Sequence, residues 1–128
     1  MTNTKAILVI DDNGFNRLLP GLIMRPFGWV VHESENGLSA LQLLKTLDVS
    51  CVLLDISLPD VSGLEVLDDL RSDKRFQNLT IVAYTAYATA DDIAHLKNRG
   101  FDAVLIKPLT SRDLLGILRD HKLIPPSD

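Results

Sequence analysis

The stretch "CVLLDISLPDVSG" (residues 51–63) joins a run of four apolar residues directly to an aspartate, Asp55. Continuous apolar runs of this length are typical of strands that are covered on both faces of a parallel sheet. Such a strand gains nothing from a charge at its end. The position of Asp55 therefore indicates that a group outside the strand uses its carboxylate.

Similar short runs recur along the chain and alternate with segments of helical periodicity. The strand-like runs are KAILVI (5–10), WVVHE (29–33), CVLL (51–54), TIVAY (80–84) and AVLI (103–106). Strands that alternate with helices favour parallel βαβ units with right-handed crossovers. The pattern predicts an α/β fold in which five helices cover both faces of an open, doubly wound sheet of five parallel strands.

Capping residues mark where three of the helices begin. Ser62, Thr89 and Thr110 each precede an acidic residue by three positions, which is the spacing of a capping box. Gly100 is placed to end the fourth helix. The third and fifth helices carry leucines at helical spacing, and we expect these to pack on the sheet: Leu64, Leu67, Leu70, Leu114, Leu115 and Leu118.

The first helix contains a proline within its periodic pattern. Pro20 lies inside NGFNRLLPGLIMRPF (13–27), where it removes a backbone donor and should bend the helix. We expect a bent helix with Pro26 near its end. Two other residues have local interpretations: Trp29 opens the second strand as a partly buried ring, and Asp60 after a proline is a turn residue.

Composition limits the class of protein. A chain of 128 residues, 46% hydrophobic and 23% charged, suits one globular domain, which we place at residues 1–124 with a short disordered tail at 125–128. The net charge of −4 with scattered basic residues gives no support for a nucleic-acid surface. Cys51 is the only cysteine and reads as a small buried hydrophobe. The apolar run near the N-terminus is too short for a signal peptide or a membrane span, so we expect a cytoplasmic protein.

Polar residues follow four of the five predicted strands. Asp11 and Asp12 follow the first, Asp55 the third, Thr85 the fourth and Lys107 the fifth. Because the carboxyl ends of parallel strands meet at one edge, these side chains should converge in one crevice. Any one of the aspartates alone reads as a loop residue or a helix cap, but a hydrophobic core has no use for the whole set.

Three carboxylates in one crevice repel one another unless a cation shares them. Oxygen ligands with open positions suit Mg²⁺, and Mn²⁺ is a possible substitute. A lysine and a hydroxyl opposite the metal suit phosphoryl oxygens, and a carboxylate can itself attack phosphorus to form an aspartyl phosphate. Asp55 is the candidate nucleophile.

The segments VIDDN, LLDISLPDVSGLEVL, YTAYA and LIKPL occur in an order and at spacings that resemble those of the receiver domains of two-component response regulators. The resemblance covers nearly the whole chain and is closest to receivers of the stand-alone and hybrid-kinase kind. It implies a flavodoxin-like sheet with strand order 2-1-3-4-5. It also implies that the Lys107–Pro108 peptide bond is cis, which is accessible at proline.

The resemblance also assigns roles to the converging residues. Asp55 would accept a phosphoryl group from a phosphohistidine on a sensor histidine kinase or a histidine phosphotransfer protein. Asp11 and Asp12 would bind Mg²⁺ together with Asp55 and the backbone carbonyl of Ser57. In addition, Thr85 and Lys107 would contact the phosphoryl oxygens. The chain would then be a signalling switch that takes part in its own phosphorylation and dephosphorylation, and not an enzyme with a separate substrate.

One position departs from the family pattern. Family members commonly carry an aromatic residue three positions before the lysine of the fifth strand, where this chain has Val104. Tyr84 and Tyr87 flank Thr85, and we hypothesise that Tyr87 takes over part of the gating. The alternative is a ring that shields the site without signalling.

A single-domain response regulator of this kind would act by changing which protein it binds. The resemblance places that surface on the fourth helix, the fifth strand and the fifth helix, with the apolar candidates Ile93, Val104, Ile106 and Ile117. Two other readings remain. The fold could serve as a binding module that does not depend on phosphorylation, or as a phosphatase of the haloacid-dehalogenase kind, which needs an acid where this chain has Ser57.

Overall fold

The computed structural model describes residues 5–126, so the last two residues of the expected tail, Ser127 and Asp128, lie outside the described residues. Helices and strands alternate along this part of the chain, and the two short 3₁₀ turns follow α1 and α3. The elements are β1 (Ala6–Ile10), α1 (Gly14–Met24), a 3₁₀ turn (Arg25–Phe27), β2 (Val30–Ser34), α2 (Gly37–Leu44), β3 (Cys51–Leu54), α3 (Gly63–Arg71), a 3₁₀ turn (Lys74–Phe76), β4 (Thr80–Thr85), α4 (Ala90–Arg99), β5 (Ala103–Ile106) and α5 (Ser111–Asp120).

The five strands form one sheet in the order β2-β1-β3-β4-β5, and every pair is parallel. This confirms the predicted fold class and strand order. The register aligns the strand ends, since Ile10 is opposite Leu54 and Thr85 is opposite Ile106. Each of Asp11, Asp55 and Lys107 extends its strand by donating a backbone N–H to the neighbouring strand. The polar residues that follow the strands therefore start from one edge.

Alternate residues of the strands face two separate hydrophobic cores. One core lies beneath α1 and α5 and includes Ile7, Val9, Met24, Trp29, Leu53, Val82, Tyr84, Leu114 and Leu118. The other lies beneath α2, α3 and α4 and includes Leu8, Ile10, Leu44, Val52, Leu54, Leu67, Leu70, Ile81 and Leu96. Both faces of the sheet are thus covered, which explains why the strands are apolar at consecutive positions. None of the helices within residues 5–126 has the length and apolar character needed to cross a membrane.

Local signals mark the helix ends as predicted. Ser62, Thr89 and Thr110 are the N-caps of α3, α4 and α5, and Thr89 forms the reciprocal capping box with Asp92. Gly100 ends α4 with a positive φ of 129°. The side chains of Ser62, Thr89 and Thr110 accept hydrogen bonds from backbone N–H groups that the first turn of each helix leaves free.

One local prediction needs adjustment, and Pro26 lies near the end of the first helix as predicted. Trp29 precedes β2 instead of opening it, and the ring is buried, with 4% of its surface exposed. The helix α1 runs through Pro20 without interruption and ends at Met24, and Pro26 lies in the 3₁₀ turn that follows. Packing against the sheet therefore maintains the helix across the missing backbone donor.

Cys51 is fully buried in β3, as the sequence predicted. Burial is the main cause that raises the pKa of its thiol to about 12, and the charge of Asp102 adds to the effect. The thiol therefore remains protonated and packs as a small apolar group.

Arg71 joins three segments at the end of α3. Its guanidinium donates to the backbone carbonyls of Gly100, Phe76 and Leu79, and it forms an ion pair of 2.8 Å with Asp102. The same carboxylate oxygen of Asp102 accepts the backbone N–H of Ile81. One side chain thus fastens α3 and the loops before β4 and β5, which sets the position of the last two strands.

Gly63 begins α3 directly against the chain that follows β3. Its N–H donates to the carbonyl oxygen of Ile56 at 2.8 Å. A Cβ at this position would overlap the carbonyl oxygen of Asp55 and lie 2.7 Å from the Cα of Ile56. Only glycine allows this approach, so residue 63 sets the path of the backbone that carries Asp55.

We predict that Gly63→Ala destabilises the protein by about 1–3 kcal/mol, because the new methyl group displaces backbone atoms. Gly116→Ala is the matched control, since Gly116 is also helical and a Cβ there meets nothing within 4 Å. That control should gain up to about 1 kcal/mol from helix propensity. Urea denaturation of both variants checks the pair, and two shifts of the same sign would contradict the steric explanation.

Candidate functional site

Three carboxylates meet at the carboxyl edge of the sheet. Asp11 and Asp12 follow β1, and Asp55 follows β3. Each offers one oxygen, and these oxygens lie within 4.8 Å of one another. Asp11 and Asp55 are buried, whereas Asp12 is exposed. Two charges therefore stand in a poorly solvated position and the third lies at the rim.

The ammonium of Lys107 lies between the two buried carboxylates. Its Nζ is 2.6 Å from Oδ2 of Asp11 and 3.2 Å from Oδ2 of Asp55, and 11% of its side chain is exposed. One positive charge thus faces three negative charges. The peptide bond that joins Lys107 to Pro108 is cis.

The oxygen atoms of the site fit a divalent cation. Oδ2 of Asp11 is buried, and its partner in the structure is the Lys107 ammonium at 2.6 Å. One ammonium shared by two buried carboxylates leaves the cluster with an excess of negative charge, and a cluster of carboxylate oxygens suits a hard divalent cation. The exposed carboxylate of Asp12 leaves the site open on the solvent side.

The environment of Asp55 opposes its ionisation. Burial has the largest effect and raises the pKa of Asp55, and the charge of Asp11 acts in the same direction. A hydrogen bond of 3.0 Å from the Ser57 N–H and the charge of Lys107 offset this in part. The carboxylate is therefore held at a free-energy cost that a further positive charge would relieve.

The backbone around Asp11 is held by contacts that the sequence did not indicate. The Asp11 carboxylate accepts the Asn13 N–H at 2.9 Å, and Nη1 of Arg17 donates to the Asp11 carbonyl at 2.9 Å. Arg17 also forms ion pairs with Glu33 in β2 and with Glu35, which follows that strand. The sequence showed only an isolated arginine one turn into α1. It did not show the partners of this arginine, because they lie in and beside a strand that is distant in sequence.

The Thr85 hydroxyl does not point at the carboxylates. It donates to the backbone carbonyl of Tyr87 at 3.2 Å. Tyr87 is 75% exposed, and its ring lines a cavity of about 250 Å³ with Ile56, Ser57, Asp92 and His95. The hydroxyl and the chain that carries this ring are thus directly linked.

The predicted partner surface is partly open. Ile106 is 37% exposed, and Ile93, Val104 and Ile117 are half-buried. Val104, Ile106 and Ile117 line a groove of about 340 Å³ between β5 and α5, with Arg112 and Asp113 at its side. Three of the four apolar candidates therefore share one concave surface.

Asp60 has a role beyond the turn in which it lies. Its carboxylate accepts the N–H groups of Gly37 and Leu38 at the start of α2, each at 2.9 Å, and that of Val61 at 2.8 Å. These bonds, that of Leu38 first, lower the pKa of Asp60. The side chain caps α2 and ties it to the loop after Asp55, a contact that local sequence does not reveal.

Tyr84 is a residue of this region to which the sequence assigned no role of its own. It is fully buried, and Nζ of Lys107 stands 4.9 Å from the centre of its ring. Its hydroxyl donates to the backbone carbonyl of Asn16 at 3.2 Å. Burial, followed by the charges of Asp11 and Asp55, raises the pKa of Tyr84, so the phenol stays protonated.

Comparison with known proteins identifies the family that the sequence motifs resemble. The response regulator receiver domain family matches residues 7–119. The polar-differentiation response regulator DivK of Brucella ovis is 32% identical over 118 residues, which span 92% of this chain and 96% of DivK. DivK of Brucella suis matches to the same extent.

Solved structures of receiver domains share the fold. A CheY-like receiver domain protein from Methanospirillum hungatei has a TM-score of 0.81 and 28% identity, with 94% of each chain covered. The receiver domain of the sensor histidine kinase PA1611 from Pseudomonas aeruginosa has a TM-score of 0.81 and 23% identity, covering 93% of this chain and 98% of that one. That structure has a magnesium ion coordinated in its active site cleft.

The family match covers most of the chain, and the DivK relatives are similar to it over nearly their whole length. Members of this family act as signalling switches. The chain belongs to the response regulator receiver domain family.

Proposed function

We propose that this chain is a phosphorylation-dependent switch in which Asp55 accepts a phosphoryl group from a phosphohistidine. The observation that carries the proposal is the position of the Lys107 ammonium, 2.6 Å from Asp11 and 3.2 Å from Asp55 beside a third carboxylate. This arrangement is costly for the free protein and suits a site that binds a cation and an anion together. The donor is a sensor histidine kinase or a histidine phosphotransfer protein.

Asp11, Asp12 and Asp55, with the backbone carbonyl of Ser57, would hold Mg²⁺, or Mn²⁺ in its place. Support comes from the convergence of the three carboxylates and from the single ammonium that two of them share. When bound, Mg²⁺ neutralises the carboxylates and draws the phosphoryl oxygens toward them. The raised pKa of Asp55 is consistent with a site that is completed by added positive charge.

In the transfer, a carboxylate oxygen of Asp55 attacks phosphorus. The new O–P bond forms as the P–N bond to the donor imidazole breaks, and the electron pair of that bond remains on the imidazole nitrogen. The Lys107 ammonium stabilises the negative charge on one phosphoryl oxygen. The Thr85 hydroxyl, which now donates to the Tyr87 carbonyl, turns to donate to another oxygen.

The switch follows from this rotation of the Thr85 hydroxyl. Loss of the Thr85 hydrogen bond frees the Tyr87 carbonyl, and the exposed Tyr87 ring moves relative to α4. In this way Tyr87 replaces part of the coupling that an aromatic residue at position 104 would supply. The altered surface is the groove lined by Val104, Ile106 and Ile117, where a downstream protein binds. We place this activity in the cytoplasm and the receiver unit at residues 1–124.

We predict one phosphoryl adduct per chain after incubation with acetyl phosphate and Mg²⁺, measured by intact-protein mass. Asp55→Asn should remove the adduct because the nucleophile is lost, and EDTA should prevent it in the unchanged chain. Asp69→Asn makes the same charge change on the exposed face of α3 and should keep the adduct. An unmodified mass with both acetyl phosphate and a phosphorylated kinase would favour the phosphorylation-independent binding module.

We also predict that Asp55→Asn raises the melting temperature in EDTA at pH 7. The pKa of Asp55 is higher in the folded than in the unfolded chain, so its ionised form reduces the free energy of unfolding. That cost is present above the folded pKa and disappears as the pH falls below about 3.9, the unfolded value. The gain should therefore shrink toward low pH.

Magnesium supplies the second arm of this test. Added Mg²⁺ should raise the melting temperature of the unchanged chain by mass action and that of Asp55→Asn less, because a ligand is missing. Thermal scans with and without Mg²⁺ measure both effects. A lower melting temperature for Asp55→Asn in EDTA at pH 7 would overturn the electrostatic account.

For the gating, we predict that Tyr87→Ala reduces the response of the groove to beryllium fluoride, which mimics a phosphoryl group. The readout is the change in the methyl NMR signals of Val104, Ile106 and Ile117 when beryllium fluoride and Mg²⁺ are added. Phe15→Ala removes another exposed ring, on α1, and should leave the response intact. A full response in Tyr87→Ala would leave Tyr87 as a shield without a part in signalling.

A further inference from the structure

The buried Tyr84 side chain has no part in the proposed phosphoryl transfer, yet it touches two elements of the site. It lies in β4 next to Thr85 and faces the core beneath α1 and α5. A leucine would fill such a position without the need to satisfy a hydroxyl. Both ends of this tyrosine, the ring and the hydroxyl, have specific partners.

The hydroxyl partner of Tyr84 follows from the proline in α1. In an α-helix the carbonyl of Asn16 would accept the N–H of residue 20, but residue 20 is proline and has no N–H. The hydroxyl of Tyr84 donates to this carbonyl at 3.2 Å. Pro20 thus makes an acceptor available in α1, and Tyr84 uses it to tie β4 to the first turns of the helix.

The ring partner of Tyr84 is the lysine of the site. Nζ of Lys107 stands 4.9 Å from the ring centre, within the range of a cation–π interaction. The side chain of Lys107 is largely buried, which strengthens that interaction. The ring therefore forms one wall of the space in which the ammonium lies, and the same ammonium contacts the carboxylates of Asp11 and Asp55.

We propose that Tyr84 is a positioning residue for phosphoryl transfer: its ring holds the Lys107 ammonium between Asp11 and Asp55, and the bond from its hydroxyl to Asn16 fixes the ring. The proposal rests on the function proposed above, because Lys107 acts on the phosphoryl oxygens. It assigns Pro20 a role as well, since the proline leaves the Asn16 carbonyl open to Tyr84. The chain thus has a link from α1 through β4 to the end of β5.

The first test needs no phosphorylation. In the unmodified protein the side-chain methylene protons of Lys107 should show the upfield ring-current shift of a group above an aromatic ring. Tyr84→Phe keeps the ring and should keep that shift, whereas Tyr84→Leu should lose it. If the Lys107 signals are the same in Tyr84→Leu as in the unchanged chain, the ring does not hold the lysine and the proposal is wrong.

The second test measures the rate of phosphorylation by acetyl phosphate at saturating Mg²⁺. Tyr84→Leu should lower the rate constant by about 5- to 30-fold, the equivalent of a desolvated cation–π interaction. Tyr84→Phe should restore most of that loss. An equal loss in both variants, or a normal rate in Tyr84→Leu, would overturn the positioning role.

Phe76→Leu is the matched control for these variants. Phe76 is another ring with a cation above it, since the Arg75 guanidinium lies 5.0 Å from its centre. It lies in the 3₁₀ turn before β4, at the opposite edge of the sheet from the carboxylates. Its loss should change stability without a change in the rate of phosphorylation. If the unchanged chain accepts no phosphoryl group, the proposed function fails, and the Lys107 signals still decide the position of the ring.

A double-mutant cycle tests the bond to α1. Tyr84→Phe leaves the Asn16 carbonyl without a donor, so it should destabilise the chain that has Pro20. Pro20→Ala restores a helical donor, and in that background Tyr84→Phe should cost less. Urea denaturation of the four proteins gives the coupling, and strictly additive changes would show that Pro20 and Tyr84 are independent.

Discussion

The repulsion among the three carboxylates at the end of β1 and β3 is the constraint on which the rest of the site depends. Parallel pairing in register brings Asp11, Asp12 and Asp55 together, and burial makes Asp55 expensive to ionise. Lys107 offsets part of that cost from the end of β5. The site of the free protein therefore carries more negative than positive charge. This excess is the physical reason to expect that an added positive charge stabilises the site.

Several contacts around the carboxylates hold backbone positions and not charges. Gly63 lets α3 approach the carbonyl of Asp55, and Asp60 ties the following loop to α2. On the other side, Arg17 holds the carbonyl of Asp11, and the Tyr84 hydroxyl holds that of Asn16. Such contacts fix the separation of like charges, because a carboxylate free to move would turn toward water.

A second property of the site is that its hydroxyl is already engaged elsewhere. Thr85 donates to the Tyr87 carbonyl, so a new acceptor at Asp55 competes with a bond that holds the start of the loop before α4. In the proposed function, this competition would link a charge at Asp55 to the chain beside α4 and to the groove between β5 and α5. A small free-energy difference between the two partners of one hydroxyl suffices for such a switch.

By itself the sequence determined the fold class, the strand order through its family resemblance, most helix starts and the residues at the strand ends. These follow from local signals: apolar runs, caps such as Thr89, and polar residues that end a strand. Only the tertiary structure decided how Tyr84, Arg17 and Asp60 take part, because their partners come from distant segments and depend on packing. Pro20 shows the division: its missing donor is readable in the sequence, but the tyrosine hydroxyl that compensates for it comes from β4, 64 residues farther along the chain.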